Sequence, residues 1–165
     1  MFTGLTSRFV FTSLIISFIF HNLEEAIYIC SYLFQSPVSF IKPASCNQFL
    51  WAVSIITLLV VILFIAAMRT KKPVVYLLIS TAIASALVLN VIVPHIVVAI
   101  YTFNYTPGLI TAVSLNLPFG LLTLVKNKPN CSDRKQLYRF VGIGLVIGYL
   151  IFAVVMALVS FLVDK

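Results

Sequence analysis

A chain of 165 residues that is 62% apolar and only 9% charged is excluded from the soluble globular class. Soluble domains run near half apolar and a quarter charged, and one this small has too little interior to hide the excess. The net charge of +7 would suit nucleic acid in a soluble protein, but the placement of the cations described below argues against it.

A bilayer removes the difficulty by acting as the solvent, and crossing it takes about 20 apolar residues. Five stretches qualify, at about 9–33, 49–68, 74–100, 107–125 and 140–163. Lipid offers the backbone no water, so each span must satisfy its own amides, as an α-helix does. The expected fold is an all-α integral membrane bundle of five transmembrane helices in a single domain.

The first stretch follows Arg8, as a secretory signal would. It is too long for one, lacks a small-x-small cleavage site, and carries His21, Glu24 and Glu25, so it is read as a retained helix. In the third stretch Pro94 removes one backbone hydrogen bond and predicts a kink just before His95. Asn116, Pro118 and Gly120 interrupt the fourth stretch. The segment 126–139 (KNKPNCSDRKQLYR) reads as a polar basic loop. In the fifth stretch Gly144 and Gly148 form a GxxxG step, which fits either packing within the bundle or a homo-oligomer contact. Three cysteines, Cys30, Cys46 and Cys131, show no zinc spacing. Cys30 and Cys46 fall at the same end of the bundle, where a disulfide is open to them, although scattered thiols more often serve as small apolar fillers.

The basic residues give an orientation. Arg8, Arg69, Lys71, Lys72, Lys126, Lys128, Arg134, Lys135 and Arg139 fall at one end, and Lys42 and Lys165 at the other. Nine against two places the N-terminus in the cytoplasm and the C-terminus outside, in a multi-pass cell-membrane protein. The positive charge is then a topology and lipid-headgroup signal rather than a nucleic-acid one. Trp51, Tyr32, Tyr101 and Tyr105 would mark the outer interface, and Tyr76 and Tyr138 the inner one.

Four carboxylate side chains occur in the whole chain. Glu24 and Glu25 lie in the first span, while Asp133 and Asp164 lie outside the spans. A charge near the bilayer centre costs about 2.5–3.5 kcal/mol on insertion scales, so two adjacent acids require partners inside the bundle. On a helix, His21 stacks over Glu24 at i+3 and Glu25 at i+4. The second histidine, His95, lies in the third span at a comparable depth. Two imidazoles with one or two carboxylates suffice for a divalent metal, zinc or iron, with an open position. A His–Glu pair in a low dielectric also suits metal-free proton transfer. The bland alternative, a purely structural cluster, explains poorly why two His and two Glu are buried together.

His21-Asn22-Leu23-Glu24-Glu25, the further histidine His95, and Tyr105-Thr106-Pro107-Gly108 occur in this order. Together they resemble the HXXEE family of small integral membrane proteins over nearly the whole chain. The resemblance implies a membrane fold and leaves the activity open. By its own chemistry Pro107 suits a helix start and Gly108 a close backbone approach. Tyr105 would sit over the site, with the N-terminus of helix four pointing at it. Asn104-Tyr105-Thr106 also fits a glycosylation sequon, but it lies too close to the membrane to be a good acceptor.

The leading expectation is a metal-dependent membrane enzyme acting on a lipid or other hydrophobic small molecule. His21, Glu25 and His95 are the expected ligands. Glu24, as general base or second ligand, and Tyr105, orienting substrate, are the expected catalytic residues, with Asn90, Asn116, Pro107 and Gly108 around substrate or ligands. A metal-free isomerase, a cation or proton transporter, and a sensor without turnover stand as alternatives.

Overall fold

The computed structural model describes residues 6–35 and 45–163, with side chains for 6–31 and 45–163. Five helices in it are long and apolar enough to cross a membrane: Ser7–Gln35, Cys46–Arg69, Pro73–Thr102, Leu109–Asn130 and Arg134–Val163. No strand occurs among the described residues. The chain is an all-α bundle.

The first helix forms the middle of this bundle. Forty-four per cent of its apolar window is buried, against 6% in the second helix and 11% in the fifth. Val10, Phe11, Leu14, Ile15, Phe18 and His21 recur at helical spacing along its inward face and are all buried. Phe11 packs edge-on against Phe64 of the second helix, at 5.4 Å between ring centres, and against Tyr76 of the third at 6.0 Å.

Two helix starts follow from local chemistry. Ser45 and Gln48 form a reciprocal capping box at the second helix. The Gln48 amide donates to the Ser45 hydroxyl, and the Ser45 amide donates to the Gln48 side chain. Cys46 in the next position is disulfide-bonded to Cys30 of the first helix, so these two thiols are paired rather than apolar fillers. The fifth helix starts early, for a similar reason. Asp133 accepts from the Gln136 amide at 2.6 Å, and the Gln136 side chain accepts from the Ser132 amide at 2.7 Å. The expected basic loop over 126–139 is therefore mostly helix. The fourth helix runs to Asn130 and the fifth begins at Arg134, leaving a three-residue turn.

Pro94 breaks the third helix as its missing amide requires. Residues Val91–Ile96 widen into a π segment in which Val93 leaves helical geometry (φ −126°, ψ 111°). The Tyr149 hydroxyl of the fifth helix donates to the Val93 carbonyl at 3.1 Å. The fourth helix carries a second π segment at Ala112–Asn116, followed by Pro118 in the first turn of regular helix. Such wide turns often accompany functional sites, and here they fall on the two helices that face His21.

The GxxxG step is taken up inside the chain. A β-carbon at Gly144 would run into the Ala82 backbone and the Ser85 hydroxyl, and one at Gly148 would come 2.9 Å from the Ala86 side chain. The fifth helix thus uses both glycines to approach the third. Tyr76 lies in the first turn of the third helix. It is buried in the core with the Arg8 guanidinium over its ring. Trp51, Tyr101 and Tyr138 are exposed. The side chain of Tyr32, together with Lys42, Asp164 and Lys165, lies outside the described residues.

Candidate metal centre

Helical stacking brings His21 and Glu25 together, and the third helix supplies His95. Glu25 Oε1 lies 3.7 Å from His21 Nε2 and 3.4 Å from His95 Nε2. The two imidazoles meet edge to face, with centroids 4.7 Å apart. Both histidines are buried, and the Glu25 side chain is 13% exposed. One ligand atom from each residue fits within 4.8 Å of the others, and among the described residues no other set of His, Cys, Asp or Glu does so.

The separations carry chemical information. An N–H···O hydrogen bond prefers 2.7–3.2 Å, so 3.4 and 3.7 Å are loose contacts. Ligands about 2.0–2.1 Å from a tetrahedral ion stand roughly 3.4 Å apart. His21 Nε2 is fully buried and has no hydrogen-bond partner. A buried nitrogen without a partner carries a desolvation cost, and a bound cation would remove it. The donor set thus fits a divalent metal.

The turn between the third and fourth helices closes the site. Gly108 adopts φ +82°, the left-handed region that favours glycine. A β-carbon there would stand 2.6 Å from His21 Cε1 and 2.8 Å from Glu25 Cγ. Its carbonyl lies 3.1 Å from His21 Nδ1. Pro107, whose backbone can offer only a carbonyl, bonds to His95, and Thr106 donates its hydroxyl to the His95 carbonyl at 3.3 Å. The Tyr-Thr-Pro-Gly turn therefore braces both histidines.

Glu24 is oriented away from this cluster. Tyr105 donates its hydroxyl to Glu24 Oε1, and the Ile110 amide reaches the same oxygen at 3.3 Å. The Thr111 amide and hydroxyl donate to Oε2 at 2.9 and 2.6 Å. Four donors fill the carboxylate, two of them backbone amides at the start of helix four, where an anion is stabilised. Glu24 is thus placed as an anchor, where a general base or second ligand was expected. Burial and the neighbouring carboxylate raise the Tyr105 phenol above its ordinary pKa, so Tyr105 stays a donor. It also packs edge-on to Tyr28.

The two asparagines diverge. Asn90 Nδ2 lies 3.4 Å from His95 Nε2, at the edge of the cluster. Asn116 is bound instead to Ser17, one turn of helix one before His21. The Ser17 hydroxyl donates to Asn116 Oδ1 at 2.5 Å, and the Asn116 amide nitrogen has no partner. Thr111 was not picked out from the sequence. Nothing separates it from the other threonines of the apolar spans until the Gly108 turn sets its direction.

A family model described as "Protein of unknown function with HXXEE motif" matches residues 12–123. That stretch contains every residue of the cluster and of its brace, and ends before the fifth helix. The chain is 32% identical over 104 residues to "Uncharacterized protein YrkK" of Bacillus subtilis (strain 168). That match covers 63% of this chain and 65% of the relative, so it spans just under two thirds of the relative's length. No solved structure matches.

Proposed function

With the chain belonging to the HXXEE-motif family, we propose that His21, Glu25 and His95 form a divalent metal centre, zinc or iron, in an intramembrane enzyme acting on a lipid or other hydrophobic small molecule. One observation carries this reading. Two imidazole nitrogens and a carboxylate oxygen converge inside an apolar bundle at separations too long for good hydrogen bonds and suited to a shared cation. An ion held there supplies Lewis acidity. The protein's share is to fix three ligands, leave a further position open and keep bulk water away. Asn90, beside His95 and half-buried, is placed to orient a polar group of the substrate. A hydrophobic substrate follows from the surroundings, since exposed Ile92, Val93, Ile110 and Val113 flank the site and would face acyl chains.

Two features support a site in the outer half of a cell membrane, with the N-terminus inside. The cations gather at the end of the bundle away from Glu25. The Cys30–Cys46 disulfide lies at the other end, and disulfides persist on the oxidising side of a membrane.

Elemental analysis of detergent-purified protein tests the metal. Stoichiometric zinc or iron, lost in His21→Ala and His95→Ala, is the expected result. Metal-free wild type that cannot be loaded sinks this reading. It would favour the metal-free isomerase, for which Glu25 Oε1 between two imidazoles is the supporting observation. Proton or cation flux in liposomes that disappears with Glu25→Gln would favour a transporter.

A further inference from the structure

Two adjacent glutamates of one motif have different surroundings. Glu25 faces the imidazoles, while Glu24 is connected to His21 only through Thr111. Proton bookkeeping along this connection gives each atom one role. Glu24 accepts from four donors. The Thr111 hydroxyl has a single proton, and its shortest contact, 2.6 Å to Glu24 Oε2, takes it. Thr111 Oγ1 therefore presents a lone pair to His21 Nδ1 at 3.2 Å. The Gly108 carbonyl, at 3.1 Å from the same nitrogen, also accepts only. Nδ1 must carry the imidazole proton and share it between these two oxygens. The lone pair is left on Nε2, the buried nitrogen that faces Glu25 and has no hydrogen-bond partner.

We infer that Thr111 is a positioning residue that couples Glu24 to His21, a carboxylate–threonine–histidine relay that joins the Gly108 carbonyl in holding the proton on Nδ1 and makes Nε2 a stronger ligand. Metal-binding histidines commonly donate their second N–H to a carboxylate or carbonyl, and loss of that partner costs about 10–100-fold in metal affinity. In this protein a hydroxyl is inserted between the carboxylate and the ring. The role of ligand falls to Glu25 and that of orienting group to Glu24, which explains why the motif holds two acids. The effect on metal affinity rests on the metal reading above. The tautomer does not.

Two measurements keep these apart. Nitrogen-15 spectra of histidine-labelled protein without metal report which ring nitrogen of His21 carries the proton, with His21→Ala giving the assignment. Titration with zinc ion alone reports affinity. Wild type is expected to show protonated Nδ1. Thr111→Val is expected to leave Nδ1 donating to the Gly108 carbonyl alone, to shift the Nδ1 resonance and to weaken zinc about 10–100-fold, while Thr111→Ser, which keeps the hydroxyl, restores both. A helical circular-dichroism spectrum and unchanged thermal unfolding exclude a folding defect, and Glu24→Gln supplies a second variant with the same expected direction. Wild-type protein with protonated Nε2 overturns the relay, and so does Thr111→Val with a wild-type Nδ1 resonance and wild-type zinc affinity. If wild type binds no zinc, the metal reading fails alone, and the spectra of Thr111→Val still decide the relay.

Discussion

Gly108 and His21 are fitted to one another so closely that the turn has no room for a side chain: its carbonyl meets Nδ1 at 3.1 Å, and an added β-carbon would stand 2.6 Å from Cε1. Two costs therefore combine in Gly108→Ala. A left-handed non-glycine residue costs about 1–2 kcal/mol, and overpacking about 1–3 kcal/mol. The expected loss is roughly 2–5 kcal/mol, with zinc binding impaired, measured by thermal unfolding in detergent and by zinc titration. A variant as stable as wild type would contradict the position given to this turn.

Tyr105→Phe removes one of four donors to Glu24. A hydrogen bond to a charged group contributes about 1.5–3 kcal/mol, with the lower end expected at this half-buried position. The pH sign follows from the raised phenol pKa. The bond's contribution is complete below the free phenol's value of about 10, and it fades as pH rises through the higher folded value. Wild type and Tyr105→Phe should therefore keep a constant difference in melting temperature from pH 6 to about 9.

Asn90→Leu and Asn116→Leu should separate. Asn90 approaches the nitrogen of His95 that would bind a metal, so the contact competes with the ion. Its removal should raise zinc affinity by about 2–10-fold, the equivalent of one net hydrogen bond of about 0.5–1.5 kcal/mol. Asn116 is engaged with Ser17, and its replacement should leave zinc affinity unchanged. Equal effects of both variants would contradict this division.

The disulfide closes a sequence separation of 16 residues. On the chain-entropy model a bridge of that span contributes about 3 kcal/mol. Cys30→Ser with Cys46→Ser should lower the melting temperature, and reductant should do the same to wild type. Reductant without effect on migration or melting would count against the pairing.

Gly142 and Gly144 form a matched control on one helix. Gly144→Ala must displace the Ala82 backbone, at a cost of about 1–3 kcal/mol. Nothing lies within 4 Å of a β-carbon at Gly142, so Gly142→Ala should cost nothing. Thermal unfolding of the two variants side by side decides it.

Several of these features were legible in the sequence because they rest on local rules. Long apolar runs give helices, a spacing of four stacks His21 on Glu25, and Pro94 must break its helix. The division between Glu24 and Glu25 was not legible. The two differ by about 100° around one helix, and only the packing of helix four decides which faces the ring and which the amides. Thr111 escaped notice for the same reason, since its role depends on a turn made by another residue. Asn116 was misplaced because the partner of a buried polar side chain, here Ser17, has no periodic signature. The loop over 126–139 was overestimated because its charges hid a capping pair, Asp133 and Gln136.

The distance along the chain between Glu24 and its anchor has a consequence for biogenesis. Thr111 follows Glu24 by 87 residues, which a ribosome adds in about 4–17 s at roughly 5–20 residues per second. For that interval the first helix has been made and Glu24 has none of its four donors. A carboxylate left bare in apolar surroundings is costly, so the first helix completes its packing only when the fourth has been made.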